Sequence, residues 1–252
     1  MTKTTNLPGP SYDDVVSLWR NNCLGKTPFV GQFLIQLTSA LSQIEGIDVS
    51  YNRTREIFEN GSVRNYTGDI RELYSVLNNQ RVAEFLNESL LTETPVTPEF
   101  IRKCHKYLMF GSIDKHRYED NGERAGDFKR HEYCVGRYDV GATAEETPGL
   151  VAELCETVNG ASSSDVLKTA TVLHCFFQNI HPFADGNGRV GRWVTNYFLV
   201  LKGHPPLLFS SDYKDSYYDS LARFDEDEEF IPLYEWMKSD VVRSAPAWRE
   251  LI

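Results

Sequence analysis

Apolar residues recur at helical spacing through most of this chain. Ser11-Tyr12-Asp13-Asp14 reads as a capping box that opens a helix toward Trp19. Thr27-Pro28 sets a capping threonine before a proline at the first helical position. Val30, Phe33, Leu34, Leu37 and Leu41 follow on one face until Gly46 ends the helix after Glu45. A helix is expected over Arg53 to Glu59, closed by Asn60-Gly61. Another runs from about Asp69 to Leu77, with an extension toward Leu86 left open. Thr97-Pro98 repeats the start signal for a helix carrying Ile101, Cys104, Leu108 and Met109.

The pattern changes between Gly122 and Gly141. The stretch contains Phe128, Tyr133, Val135 and Tyr138, punctuated by Gly126, Gly136 and Gly141, which predicts a short β-hairpin. Helical spacing returns at Thr147-Pro148, in a helix toward Cys155. Ser164-Asp165 then opens a long helix with Val166, Leu167, Ala170, Leu173, Phe176 and Phe177 as its apolar face. That helix ends at Asn179-Ile180. A further apolar helix, with Trp193, Val194, Tyr197, Phe198, Val200 and Leu201, begins after Gly188 and stops at Gly203. Two tail helices are expected, around Tyr213 to Phe224 and Ile231 to Val242. The sum is an all-α protein with one small hairpin. Residues 1–95 form an N-terminal helical region, whose helix around 28–46 carries Glu45. Residues 96–252 hold a catalytic core and the C-terminal helices.

Composition narrows the function classes. The 252 residues carry a formal charge of −10, and no basic stripe of the kind nucleic-acid binding needs is visible. The acidic run Asp225-Glu226-Asp227-Glu228-Glu229 reads as a solvated loop or helix edge. No apolar run approaches the ~18 residues of a membrane span, and the N-terminus lacks a signal-peptide core, so a cytoplasmic protein is expected. The five cysteines are widely spaced with no CxxC pair, which suggests neither a zinc site nor a disulfide framework. Cys104 and Cys175 read as buried inert thiols.

The chemistry concentrates between the last two long helices before the tail, in His181-Pro182-Phe183-Ala184-Asp185-Gly186-Asn187-Gly188-Arg189-Val190-Gly191-Arg192. Gly186-Asn187-Gly188 opens a helix, where free backbone N–H groups and the dipole favour an anion. Arg189 and Arg192, three apart, share a helical face and could clamp phosphate groups with planar donors. Asp185, one carboxylate beside a phosphate cradle, suits Mg2+ completed by substrate oxygens. His181 titrates in the range of a general base. Phe183 is expected to turn inward and anchor the loop.

These residues resemble the signature of Fic-domain proteins, His-x-Phe-x-Asp/Glu-Gly-Asn-Gly-Arg-x-x-Arg, at all eight constrained positions. The resemblance extends over roughly residues 30 to 240. It takes in Gly203-His204-Pro205-Pro206 as the family's usual exit from the helix after the motif. It implies an all-α Fido fold and transfer of AMP from ATP to a Ser, Thr or Tyr hydroxyl of a target protein or of the chain itself. By the same resemblance His181 is the base and Asp185 the Mg2+ ligand. Gly186, Asn187, Gly188 and Arg189 hold the α- and β-phosphates, and Arg192 holds the terminal phosphate. Tyr218 falls where the family often has a tyrosine near the adenosine, although Tyr217 and Tyr218 also read as a plain amphipathic edge. The Gly126 to Gly141 segment resembles the family's flap, with Val135 to Tyr138 as the docking edge for a target strand.

Ile44-Glu45-Gly46 resembles the family's inhibitory-helix motif, which implies that Glu45 pairs with Arg192 and spoils the terminal-phosphate site. The motif's usual Ser/Thr is replaced by Leu41, with Ser42 one position displaced. The phosphate-transferring branch carries Lys where this chain has Gly188, which favours nucleotidyl transfer. UMP transfer, removal of AMP, a non-catalytic nucleotide sensor and a homo-oligomer stay open. The sequence does not name the target.

Overall fold

The structure, a computed structural model, describes residues 10–47, 49–60, 70–135, 138–139, 141–162 and 165–248. They form eleven α-helices: α1 Tyr12–Cys23, α2 Gly31–Ile44, α3 Tyr51–Asn60, α4 Ile70–Leu91, α5 Pro98–Leu108, α6 Lys115–Glu119, α7 Thr147–Gly160, α8 Val166–Ile180, α9 Asn187–Leu201, α10 Lys214–Asp227 and α11 Ile231–Trp248. Cys134–Val135 and Tyr138–Asp139 pair as two-residue antiparallel strands, β1 and β2. The expected docking edge from Val135 to Tyr138 includes residues 136 and 137, which lie outside the described residues, as do Asp69, Gly61 and Ser164.

Local signals set most helix ends. Ser11 and Asp14 close a reciprocal capping box on α1. Thr97 caps α5, accepting from the Phe100 amide at 3.1 Å, with Pro98 in the first turn. Asp165 caps α8 through the Lys168 amide at 2.9 Å. At the far end of α2 the Gly46 amide bonds the Gln43 carbonyl at 2.9 Å and the Ile47 amide the Ser42 carbonyl at 3.0 Å. That is a Schellman stop, and it leaves Glu45 as the capping residue.

Three expectations need correction. The Thr27-Pro28 signal does not start α2, which begins at Gly31. Phe29 is buried edge-on against Trp193, with ring centroids 5.4 Å apart. The Asn87 amide group on α4 takes both Phe29 main-chain groups, its Oδ1 accepting from the Phe29 N–H at 3.3 Å and its Nδ2 donating to the Phe29 carbonyl at 3.0 Å. That tertiary clamp outbids the local start signal. Phe176 is not a core residue: it stays 43% exposed and meets Phe224 of α10 edge-on at 5.0 Å. Finally, α4 runs on to Leu91, because Val82, Ala83 and Leu86 continue its buried stripe.

The centre of the molecule is the pair α8 and α9, packed along each other and wrapped by α5, α7, α10 and α11. Almost every residue of α9 is buried, and its polar ones are partnered. Trp193 Nε1 donates to Asn79 Oδ1 at 2.7 Å, and the Asn196 amide exchanges two bonds with the backbone of Leu207. Cys104 and Cys175 are buried free thiols, as expected. One continuous apolar core joins Val15 in α1 to Trp248 in α11, so α2 is seated on the same core as the motif helices. No helix among the described residues is long and apolar enough to cross a membrane. Asn87→Ala removes both bonds to Phe29 and is expected to cost about 1–3 kcal/mol, read as a lowered midpoint in urea denaturation.

Candidate active site

α8 ends on His181, which adopts the left-handed conformation at φ 51° and turns the chain out of the helix. The next residues build a tight loop whose backbone is held by its own side chains. Phe183 is fully buried, and the Asn187 side chain accepts from the Phe183 amide at 2.9 Å and donates to its carbonyl at 2.7 Å. Gly186 then caps α9. The first-turn N–H groups of α9 have no acceptor within the helix and face the loop. Asn187 therefore spends its side chain on the frame, and only its backbone N–H remains for an anion.

The loop is also clasped from outside. The Lys129 amide donates to the Pro182 carbonyl at 2.9 Å, and the Ala142 amide to the Ile180 carbonyl at 3.0 Å. Both ends of the segment that carries β1 and β2 are thus tied to the motif backbone. Gly141, at φ +83°, makes the second contact tight: a Cβ there would come within 2.4 Å of His181 Cβ and 2.5 Å of the Ile180 carbonyl oxygen. No other residue type fits.

His105 on α5 completes the frame. It is buried and stacked flat on Phe183, with ring centroids 3.8 Å apart. Its Nδ1 accepts from the Gly126 amide at 2.8 Å, so its proton sits on Nε2, which donates to the Asp185 carbonyl at 3.0 Å. One neutral imidazole thus links the start of the hairpin segment to the backbone of the metal-ligand candidate. The one sequence signal for it was a histidine on the apolar face of α5, next to Cys104 and four residues after Ile101.

The chemical side chains project from this frame. His181 is half-buried; burial and the neighbouring Lys129 hold its pKa below the ordinary histidine value, so it is a neutral base near pH 7. Asp185 accepts the Gly186 amide on Oδ1 at 2.7 Å and has Arg189 Nη2 at 3.7 Å. Its Oδ2 meets Arg117 Nη1 of α6 at 3.3 Å, a partner the sequence did not reveal. Among the described residues no cluster of three or more metal-ligating side chains occurs. Asp185 fits an ion that takes one protein carboxylate and completes its shell from phosphate and water, as Mg2+ does.

Arg189 and Arg192 share a face of α9 but serve different partners. Arg192 is 1% exposed and pairs with Glu45 at the end of α2. Burial alone would raise the Glu45 carboxyl pKa, but Arg192, with Arg189 and Lys214, outweighs it and holds the group below the usual range. A Cβ at Gly188 would lie 2.7 Å from Glu45 Oε1 and 3.2 Å from an Arg192 nitrogen. The carboxylate therefore rests on the glycine of the cradle. Tyr217, fully buried, packs beneath Arg192, with its ring centroid 6.0 Å from the guanidinium carbon. Tyr218 is 41% exposed at the rim, set edge-on to Tyr217 at 5.0 Å. The two adjacent tyrosines thus differ in burial, Tyr217 inside and Tyr218 at the surface.

Residues 95–199 match the Fic/DOC family. Over those residues the chain carries a Fic/DOC domain. It is 27% identical over 222 residues to the protein adenylyltransferase Fic of Drosophila erecta, an alignment covering 81% of this chain and 42% of that protein. The chain thus spans about two fifths of the length of such curated relatives. Its fold matches that of Fic-1 from C. elegans with a TM-score of 0.79 at 23% identity, over 94% of this chain and 69% of that one. A Fic domain containing signaling protein from Bacteroides thetaiotaomicron matches at 0.73 and 19% identity, over 96% and 91%. These likenesses show an all-α Fic-like fold.

Two outcomes follow from the frame of this Fic/DOC site. Gly141→Ala is expected to displace His181 and to cost about 2–4 kcal/mol through backbone strain and the clash, measured by denaturation and by a shifted His181 imidazole signal in NMR. Burial holds His105 and His174 at pKa values of about 3 and His204 at about 4. All three stay neutral in the fold, while the unfolded chain takes up protons near pH 6.5. Their stabilisation is complete above that value and is lost as pH falls toward 4. A drop of about 1 kcal/mol per histidine is expected between pH 7.5 and 5.5, read from urea midpoints at the two pH values.

Proposed function

We propose that this Fic/DOC protein is an adenylyltransferase that moves AMP from ATP to a hydroxyl of a target protein. The observation that carries the reading is the ion pair at the start of α9. A buried arginine is compensated by a carboxylate resting on Gly188, among the described residues the one carboxylate paired with it, in the same motif as the neutral His181. Such an arrangement suits a polyanion whose last phosphate takes the place of Glu45. The amides of Gly188 and Arg189 would hold the inner phosphates, and Asp185 would hold Mg2+, which supplies charge neutralisation at those oxygens when bound. His181 accepts the proton of the attacking hydroxyl. The oxygen–phosphorus bond forms at the α-phosphorus, the bridge to the β-phosphate breaks, and pyrophosphate leaves.

Two further parts belong to this proposal. The segment with β1 and β2, tied at both ends to the loop of His181, supports a role as the edge on which a target strand aligns its hydroxyl. Glu45, paired with Arg192 in the resting chain, supports autoinhibition from within one chain. The crowding at Gly188 disfavours the phosphoryl-transferring variant, since a lysine there would collide with Glu45 and Arg192. Tyr218, 41% exposed beside Tyr217, would lie against a base or ribose.

The test is intact mass, with parallel labelling from ATP carrying its label at the α- or the γ-phosphate. Glu45→Gly is expected to raise the AMP adduct at least ~10-fold, because it frees Arg192. Adding His181→Ala is expected to remove it by about 10²–10⁴-fold, the usual worth of a general base. Equal labelling with and without His181 would sink the mechanism, and incorporation of the γ-label would sink the assignment of AMP. Transfer from UTP in preference to ATP would redirect it to another nucleotide.

A further inference from the structure

His174 of α8 is fully buried and plays no part in the chemistry above. Its Nδ1 lies 2.9 Å from Thr195 Oγ1 on α9, and its Nε2 lies 2.7 Å from the hydroxyl of Tyr217 on α10. The proton positions in this chain can be assigned by counting. Thr195 donates its one hydroxyl proton to the Gly191 carbonyl at 2.7 Å, so toward His174 it offers only lone pairs. His174 therefore carries its proton on Nδ1, and its bare Nε2 accepts from Tyr217. The assignment requires a neutral ring, which burial and then the charge of Arg192 enforce. With its proton spent on His174, Tyr217 has only lone pairs left for its other neighbour. That neighbour is Arg192, beneath which the Tyr217 ring lies, and whose charge opposes the effect of burial on the phenol.

We infer that His174 and Thr195 are positioning residues which, through Tyr217, keep a hydrogen-bond acceptor turned toward Arg192 and hold its guanidinium for the terminal phosphate. The inference rests on the nucleotide reading of the site. The geometry explains why this chain of contacts is needed. Glu45 is the only carboxylate paired with Arg192 among the described residues. When it leaves, a buried cation would stand without a counter-charge, which is costly and lets the side chain wander. A neutral acceptor fixed from below steadies the guanidinium without neutralising it, so its charge stays available to an incoming phosphate. A free tyrosine hydroxyl would do this poorly, since it could as well turn its proton toward the cation. His174 removes that choice.

The test uses the Glu45→Gly protein as reference, with Kd for ATP and for AMP measured by calorimetry. AMP lacks the phosphate that Arg192 would hold. Tyr217→Phe keeps the ring and its packing and removes the hydroxyl. It is expected to weaken ATP binding about tenfold, the worth of one hydrogen bond to a charged group, and to leave AMP binding unchanged. His174→Leu is expected to give the same selective loss. The double variant should lose no more than either single one, because the residues act in series. Should His174→Leu not fold, Thr195→Val removes the acceptor for Nδ1–H with little change of shape and reads the same chain. Parallel weakening of ATP and AMP would mean a purely structural role, and no change with Tyr217→Phe would mean no role; either overturns the inference. A Glu45→Gly reference that binds ATP no more tightly than AMP would instead remove the nucleotide reading itself, and this inference with it.

Discussion

A guanidinium that keeps 1% of its surface in contact with solvent cannot stand alone. Taking such a charge out of water costs several kcal/mol even after relaxation, and the cost is tolerable only beside an opposite charge. In this protein that requirement ties two distant parts of the chain together. Arg192 stands in the first turns of α9, inside the core, and its carboxylate comes from the residue that caps the C-terminus of α2, more than a hundred positions earlier in sequence. Glu45 caps the end of its helix, where the dipole disfavours an anion, so the pair relieves a local misfit at both ends. A pocket built this way is an anion site whichever anion fills it. On the proposed reading a terminal phosphate exchanges for the carboxylate without leaving the cation bare, so inhibition and substrate binding are two uses of one electrostatic demand.

The motif loop divides its residues between frame and chemistry. Pro182, Phe183 and Asn187 give their backbone or side chains to holding the loop, and His105 and the amides of Lys129 and Ala142 clasp it from outside. Nearly all of these contacts are made to backbone groups. The His181 side chain and the first amides of α9 are not part of that frame, whereas Asp185 is tied to the Gly186 amide and to Arg117. Catalytic groups held to a fraction of an ångström need such support, because small misplacements are expensive in rate. The same clasp joins the hairpin segment to His181, so a strand aligned on that segment would have its position set relative to the base.

What could be read from the sequence is what local physics decides. The capping box at Ser11, the Thr97-Pro98 start, the Asp165 cap and the Gly46 stop each depend on a few adjacent residues, and each is found where expected. The loop at His181 was legible because its glycines, carboxylate and arginines are contiguous. The failures share another origin. Thr27-Pro28 lost to an amide on α4 that the sequence could not place beside Phe29. Phe176 lies at the edge of a stripe whose centre runs through Leu173, His174 and Phe177, where solvent still reaches it. Tyr217 and Tyr218 could not be told apart, because α10 has too few apolar residues to fix its register. His105, Arg117 and His174 act through partners far away in sequence, and no spacing rule reports such partners.

Gly188 shows how a local and a distant constraint meet in one residue. In sequence it reads as a member of a phosphate cradle, where a glycine lets the backbone approach an anion. In the fold the space a side chain would need there is already held by Glu45 Oε1 and the nitrogens of Arg192. A residue with a Cβ at this position would have to push the carboxylate off the arginine, or be pushed off by it. The open cradle and the resting ion pair therefore depend on the same absence of a side chain. A chain that gained a lysine here to reach a phosphate would lose the Glu45 contact at the same step, so on the proposed function the mode of transfer and the restraint on it would not be independent.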